Sequence, residues 1–373
     1  MVSRIYKYLL KQGLQAKIIP LTSAVSFCIT NAIDYIKIED FFEINSLDTN
    51  FKDAILKIAH QNHNNELGIP FSHTLAYYGI GLNQLFIEKG LSLGLEYFKT
   101  NGRKSFLPTN FAKTVINDLK PNAIFTTNSP RMELAFRIIG KSMQIKTFAI
   151  DDLIGYFRRL EYISSDVVFV DNEIAKENVK NYSYKGEIII SGNPVYEDIF
   201  KLRREAKQIN NNNLLIILQT GISNVKTNEV IEFSEQFFKN FFKNIEKLNF
   251  FNSFDNVTIR FHPSMKKIKY WKSENFQIDT EENLHQSLLN HSSVFGLTST
   301  AIYEAYLIGC SVYNLSFKND FFCLPIEYIG NINIFGDFHF DKDNPKPVLN
   351  HETQNKQSLE IIYNKLINEV FKN

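Results

Sequence analysis

Short apolar runs alternate with amphipathic runs along this chain, the pattern of strands and helices exchanged in an α/β protein. In the first half, Ala16–Leu21 reads as a strand, and Asn50–His60 and Gly81–Thr100 read as helices, the second interrupted near Gly90. Phe111–Lys120 is a helix that Pro121 stops. A denser alternation follows: strand Ala123–Thr127, helix Arg131–Met143, strand Lys146–Ile150 and loop Asp151–Arg159. Strand Val167–Val170, helix Ile174–Val179 and strand Glu187–Ile190 complete it. Ser191-Gly192-Asn193-Pro194 then punctuates the chain, and Val195–Lys207 reads as a helix leading to the polar stretch Gln208–Asn213.

The alternation restarts after that stretch. Leu214–Leu218, Val257–Phe261, Ser293–Leu297 and Ser311–Leu315 read as strands. Asn228–Leu248, Glu281–Asn290, Thr300–Ile308 and the terminal Ser358–Phe371 read as helices. Strands joined by helical crossovers imply parallel sheets. Two such sheets predict two Rossmann-like domains facing a cleft, residues 1–207 and 208–373, with the C-terminal helix free to pack back on the first. Ligands of open α/β sheets sit at the carboxyl ends of strands, so informative residues should follow strands.

Length and composition narrow the class. The 373 residues fit two domains. With 44% hydrophobic and 22% charged residues, a disordered or fibrous chain is excluded. The net charge of +1, from 41 basic and 40 acidic side chains, argues against nucleic acid as a partner, which needs a phosphate-neutralising surplus. Cys28, Cys310 and Cys323 form neither a zinc pattern nor a disulfide framework, so a reducing compartment is expected. No apolar run is long enough for a transmembrane helix. The first residues, MVSRIYKYLLKQGLQAKIIP, lack the long apolar segment and cleavage site of a signal peptide. A cytoplasmic protein is expected, with at most peripheral membrane contact through the helix Val2–Lys11.

Four strand ends carry candidate chemistry. His262-Pro263 closes the strand NVTIRF, and the proline turns the chain so that the imidazole projects over the sheet edge. A histidine there can hydrogen-bond a phosphate and neutralise leaving-group charge. Thr298-Ser299-Thr300 opens a helix, where free N–H groups and the dipole form an anion site; the plainer reading is N-capping. Glu304 lies four residues after Thr300, on the same helix face, where it can accept hydrogen bonds from ribose hydroxyls. Thr220-Gly221, after LLIIL, makes a small polar turn able to contact a phosphate, although the spacing is not that of a Walker loop. Asp151-Asp152 closes the strand KTFAI; adjacent carboxylates can raise one another's pKa, which suits a general base. Arg158 and Arg159 can equally serve as plain counter-ions to a solvated pair.

This constellation resembles the bacterial GT-B glycosyltransferases that use sugars activated by cytidine monophosphate (CMP), the sialyltransferases and capsule Kdo transferases. They share an acidic pair, a His-Pro motif and a hydroxyl-rich helix start, matched in order by Asp151-Asp152, His262-Pro263 and Ser299-Thr300. STAIYEAYLIGCSV is similar to the S-T-x-x-x-E-A-x-x-x-G-x-x-V run of the capsule enzymes. The resemblance implies a GT-B fold and an inverting single displacement. A nonulosonic acid or Kdo would pass from its CMP-activated form to a bacterial surface glycan, whether free or lipid-linked. It also implies an aspartate base, His262 and the hydroxyls on the phosphate, and Glu304 on the ribose. No metal-binding motif stands out, so metal-independent catalysis without a cofactor is expected. EIIISGNPVYEDIF is also similar to the Gly-Asn-Pro junction of UDP-GlcNAc 2-epimerases and glycerophosphotransferases. A UDP-sugar transferase or 2-epimerase, or a CDP-glycerol-type transferase, is therefore the alternative on the same fold. A non-catalytic nucleotide-sugar-binding protein is the alternative of another class.

Overall fold

A computed structural model describes residues 1–127, 129–151, 164–181, 183–199, 202, 212–223, 230–246, 249–262, 265, 276–296, 299–316, 330–333 and 357–371. The chain opens with six helices: α1 Val2–Lys11, α2 Ser23–Thr30, α3 Thr49–Asn62, α4 Phe71–Lys89, α5 Leu91–Asn101 and α6 Thr109–Leu119. Then come β1 Ala123–Thr127, α7 Met132–Ser142, β2 Lys146–Ile150, β3 Val167–Val170, α8 Glu173–Asn181 and β4 Glu187–Ile190. The second series is β5 Asn213–Ile217, β6 Gly221–Ser223, β7 Val230–Glu232, α9 Glu235–Glu246, β8 Asn256–Arg260 and β9 Gln277–Ile278. It continues with α10 Leu284–Leu289, β10 Ser293–Gly296, α11 Thr300–Ile308, β11 Ser311–Ser316 and β12 Gly330–Asn333, and ends with α12 Ser358–Val370.

The chain divides into two compact units, Met1–Pro194 with Gln357–Asn373, and Val195–Lys356. The division thus falls at Pro194, earlier than the polar stretch that marks a junction in the sequence, and the C-terminal helix belongs to the first unit. Most of Val195–Lys207 lies outside the described residues.

In the first unit, β1 to β4 form a parallel sheet in sequential order. Ile5 and Leu9 of α1 pack with Ile362 and Leu366 of α12 against Phe148, Val167 and Phe169. The apolar side of α1 is therefore spent on the core. No described helix is long and apolar enough to cross a membrane. A separate helical core joins α3, α4 and α6, with Phe106 between α5 and α6. Gly90, at φ +78°, ends α4, so the interruption in the predicted helix is a true break, and α4 itself begins ten residues earlier, at Phe71. Ala16–Leu21 corrects the sequence reading: it joins no strand. Its backbone is tied to Ile36, whose N–H donates to the Ile18 carbonyl at 2.9 Å, and Pro20 has no N–H to give a ladder.

In the second unit six parallel strands lie in the order β12-β11-β10-β5-β8-β9. Read from the other edge, this is the 3-2-1-4-5-6 order of the Rossmann fold, whose strand order reverses between β5 and β10. Phe238, Phe241, Phe242 and Ile245 of α9 cover Leu214, Ile216, Val257, Ile259 and Phe295. Each such burial is worth about 1.5–3 kcal/mol, and several of the chain's 33 phenylalanines are used in this core. The predicted helix Asn228–Leu248 is corrected at its start. Val230–Glu232 is a strand paired antiparallel with Gly221–Ser223, and the Ser234 hydroxyl accepts from Phe237 N–H at 3.1 Å, so the helix begins at Glu235.

An ion-pair bridge anchors α12. Lys146 of β2 meets Glu369 at 2.6 Å, and Lys365 reaches Glu369 at 2.7 Å and Glu187 of β4 at 2.6 Å. Hydrogen bonds from Lys146 and Lys365 pull the Glu369 carboxyl down to about 2, from an ordinary 4.5. A depressed carboxyl stabilises the fold above its unfolded value, and that contribution disappears as pH falls toward the folded value. Acid unfolding followed by circular dichroism should therefore show stability lost between about pH 4.5 and 2, and Glu369→Gln should flatten that segment of the curve.

Candidate functional site

Parallel strands end at one edge, and in the second unit three central strands end in register. Gly296 of β10 pairs with Ile217 of β5, and Ile217 pairs with Arg260 of β8. The residues just beyond this row are the segments singled out in the sequence: Ser299 and Thr300 after β10, Thr220 and Gly221 after β5, and His262 after β8. A Cβ on Gly296 would stand 2.8 Å from the Ile302 side chain, so a larger residue there would force Ile302 of α11 to shift.

Helix α11 is buried almost all round. Ala301, Ile302, Tyr303, Ala305, Tyr306, Leu307 and Ile308 are covered, while Thr300 is exposed and Glu304 half-buried. The two polar residues, one turn apart, form its uncovered stripe. The Ser299 hydroxyl accepts from Ala301 N–H at 3.2 Å, an N-cap in the ordinary sense. Glu304 is engaged through Oε2, which lies 2.8 Å from Nε2 of His285 in α10.

Arg260 sets the position of α10. Its guanidinium meets Asp279 at 2.5 Å and donates to the carbonyls of Glu281 at 2.8 Å and Glu282 at 3.1 Å. Ser287 of α10 donates to Asp279 at 2.6 Å, and the Asn283 side chain caps α10. Burial pushes the Asp279 carboxyl up, but hydrogen bonds from Ser287, Arg260 and the Glu281 backbone outweigh it and hold it below its ordinary value. One arginine thus fixes the loop and helix that present His285.

Thr220 and Gly221 begin a hairpin. The Thr220 carbonyl accepts from Phe233 N–H at 2.8 Å, and the Gln219 side-chain amide donates to the Gly221 carbonyl at 2.6 Å. His262 is exposed past the end of β8, and its carbonyl accepts from Met265 N–H at 2.8 Å. Pro263, Thr298 and Asp152 lie outside the described residues, as does most of the loop Asp151–Arg159.

The first unit gathers polar groups at its own carboxyl edge. Asp151 follows β2, 2% exposed, with its N–H donated to the Phe169 carbonyl at 2.8 Å. Asp171 and Asn172, which sequence reasoning passed over, follow β3 and are also buried. The signal was legible, because VFVDN ends an apolar strand in an acid as FAIDD does. Asn172 donates to Asp171 at 3.0 Å and accepts from Ala175 N–H at 2.9 Å, capping α8. After β1, the fully buried Arg137 donates to the Thr126 hydroxyl and Thr127 carbonyl, both at 2.7 Å, and to the Ser129 carbonyl at 3.2 Å. Burial lowers its pKa to about 10, which still leaves it cationic at neutral pH. It holds the loop in which Arg131 sits at φ +75°, a strained conformation outside glycine. Glu133 is taken up by Thr127, accepting from its N–H at 2.6 Å and its hydroxyl at 2.8 Å.

No protein-family model and no curated protein matches the chain. Among solved structures, it is similar to the UDP-GlcNAc 2-epimerase of Methanocaldococcus jannaschii, with TM-score 0.54 and 14% identity over 98% of this chain and 95% of that one. It is also similar to MurG of Acinetobacter baumannii, with TM-score 0.44 and 12% identity over 99% of this chain and 88% of that one. The UDP-GlcNAc 2-epimerase of Neisseria meningitidis, bound to UDP-GlcNAc, gives TM-score 0.46 and 15% identity over 69% and 81%. At 14% identity the likeness to the Methanocaldococcus jannaschii enzyme speaks to fold: an α/β protein of GT-B type with two Rossmann-like units.

The Arg260 clamp carries a prediction. A lysine cannot serve Asp279 and two carbonyls at once, because it lacks the planar fork. Arg260→Lys should cost about 1.5–3 kcal/mol, the net worth of hydrogen bonds to a charged group, read as a lowered urea midpoint.

Proposed function

We propose that the protein is a nucleotide-sugar-dependent glycosyltransferase whose second unit binds the nucleotide phosphate and ribose. The observation that supports this most is the in-register row Gly296–Ile217–Arg260, with candidate phosphate and ribose groups just past it at the strand-order reversal. The sequence resemblance favours a CMP-activated nonulosonic acid or Kdo as donor and a surface glycan as acceptor. The Asp151-Asp152 pair supplies the base that takes the acceptor hydroxyl proton. The freed oxygen bonds to the anomeric carbon, the bond from that carbon to the phosphate oxygen breaks, and CMP leaves with inversion. His262, Ser299, Thr300 and the N-terminus of α11 stabilise the departing phosphate, and Glu304 holds the ribose. These groups do the work of a metal ion, so turnover should persist in EDTA.

A second reading has a specific support. The solved structure at TM-score 0.54 is a UDP-GlcNAc 2-epimerase, which favours a uridine nucleotide at the same edge and a UDP-sugar transferase or epimerase activity.

A thermal-shift panel separates the two readings, because a ligand that binds the folded state raises the melting temperature with its excess over Kd. CMP should stabilise the protein more than UMP or UDP; the reverse order selects the uridine reading, and no shift with any nucleotide overturns both. With CMP-activated sugar acids as donors, His262→Ala should cut CMP release by about two to four orders of magnitude while the protein stays folded. Near-normal release would make His262 a bystander. Ser299→Ala with Thr300→Ala should raise the nucleotide Kd at least tenfold, since hydrogen bonds to a charged group are worth about 1.5–3 kcal/mol each.

A further inference from the structure

We propose that His285 is a positioning residue for ribose recognition, holding Glu304 so that the protein discriminates ribonucleotides from their 2′-deoxy forms. The inference rests on the reading of the α11 edge as a nucleotide site. Neither the sequence motifs nor the fold likeness points to His285; the geometry does.

The carboxylate of Glu304 accepts only, so the His285 nitrogen 2.8 Å from Oε2 carries the proton, and the imidazole is the donor. That contact ties one oxygen of Glu304. The other has no partner among the described residues and lies on the uncovered stripe of a helix buried elsewhere. Both side chains are partly exposed, His285 at 25% and Glu304 at 21%, so the pair stands at the surface of the edge and not in the core. A lone glutamate at such a place turns freely about three side-chain torsions. Bound to His285, it offers one fixed acceptor oxygen whose two lone pairs suit the adjacent hydroxyls of a ribose.

His285 is itself held. It occupies the first turns of α10, whose N-cap is the Asn283 side chain, accepting from His285 N–H at 2.8 Å. Ser287, two residues on, binds Asp279, and Asp279 binds Arg260. The chain Arg260–Asp279–Ser287 fixes α10 to the end of β8, and His285 transmits that position to α11. A residue so placed acts through Glu304 and touches no reacting atom.

The test measures Kd by calorimetry for CMP and 2′-deoxy-CMP, with UDP and 2′-deoxy-UDP as the parallel pair, on the full chain. The wild type should prefer the ribose form about tenfold or more, the worth of a hydrogen bond to a charged acceptor. His285→Ala should bring that ratio to within about twofold of one, mainly by weakening the ribose form, with the deoxy form little changed. Glu304→Gln should lose the same preference, and adding His285→Ala to it should cost nothing further. His285→Gln, which keeps an N–H donor of similar reach, should restore most of the ratio. A loss of general order would weaken both nucleotides alike and leave their ratio intact, so the ratio isolates the positioning role. A wild-type ratio in folded His285→Ala, checked by circular dichroism, overturns this inference and leaves the nucleotide site standing. Should His285→Ala not fold, an unchanged ratio in Glu304→Gln overturns it equally. If no nucleotide binds the wild type, the reading of the site fails, and the inference with it.

Discussion

The candidate chemistry of the second unit depends on one constraint, that parallel strands in register all deliver their following loops to the same edge. Each pair of backbone ladders fixes the neighbour to within one residue, because a slip of one would turn every side chain to the opposite face. Gly296, Ile217 and Arg260 therefore stand in a row. Segments nearly eighty residues apart in sequence become neighbours by this alone. The apolar strands are what hold the register: Leu214, Leu215, Ile216, Val257, Ile259, Val294 and Phe295 are buried and cannot be moved to the solvent face.

Polar groups at that edge are organised in relays. Arg260 begins in a strand, where half-burial makes its charge costly, and recovers stability from a carboxylate and two carbonyls. Arg137 plays the corresponding part after β1 in the first unit, fully buried and donating to the Thr126 hydroxyl and to the carbonyls of Thr127 and Ser129. In both cases a guanidinium fork fixes the loop that leaves a strand, a task suited to a rigid multi-donor group. The loops that carry candidate chemistry are thereby shaped from below, by residues that need not touch a substrate.

The legibility of the sequence was uneven, for physical reasons. The sequence marks strands β1, β2, β3 and β4 to the residue, because each is a short apolar run bounded by polar or turn residues. Helix α11 was equally clear. The errors fell where a local pattern was ambiguous. Val230–Glu232 continues an apolar stretch into α9, and only pairing with Gly221–Ser223 makes it a strand. Ala16–Leu21 has strand composition but finds no partner strand, and a β-strand exists only through its neighbours.

By itself the sequence determined the α/β class, the parallel sheets, the strand ends where polar residues gather, and the shared helix face of Thr300 and Glu304. These follow from periodicity and from adjacency along the chain, which are local properties. Only the tertiary structure decided that Pro194 closes the first unit and that α12 returns to it through Lys146 and Glu187. It alone decided that Glu304 is paired with His285, and that Arg260 governs the loop leading into α10, which carries His285. Those contacts join residues far apart in the chain, through ion pairs and hydrogen bonds that leave no periodic trace; they exist only once the sheets have set which strand ends lie side by side.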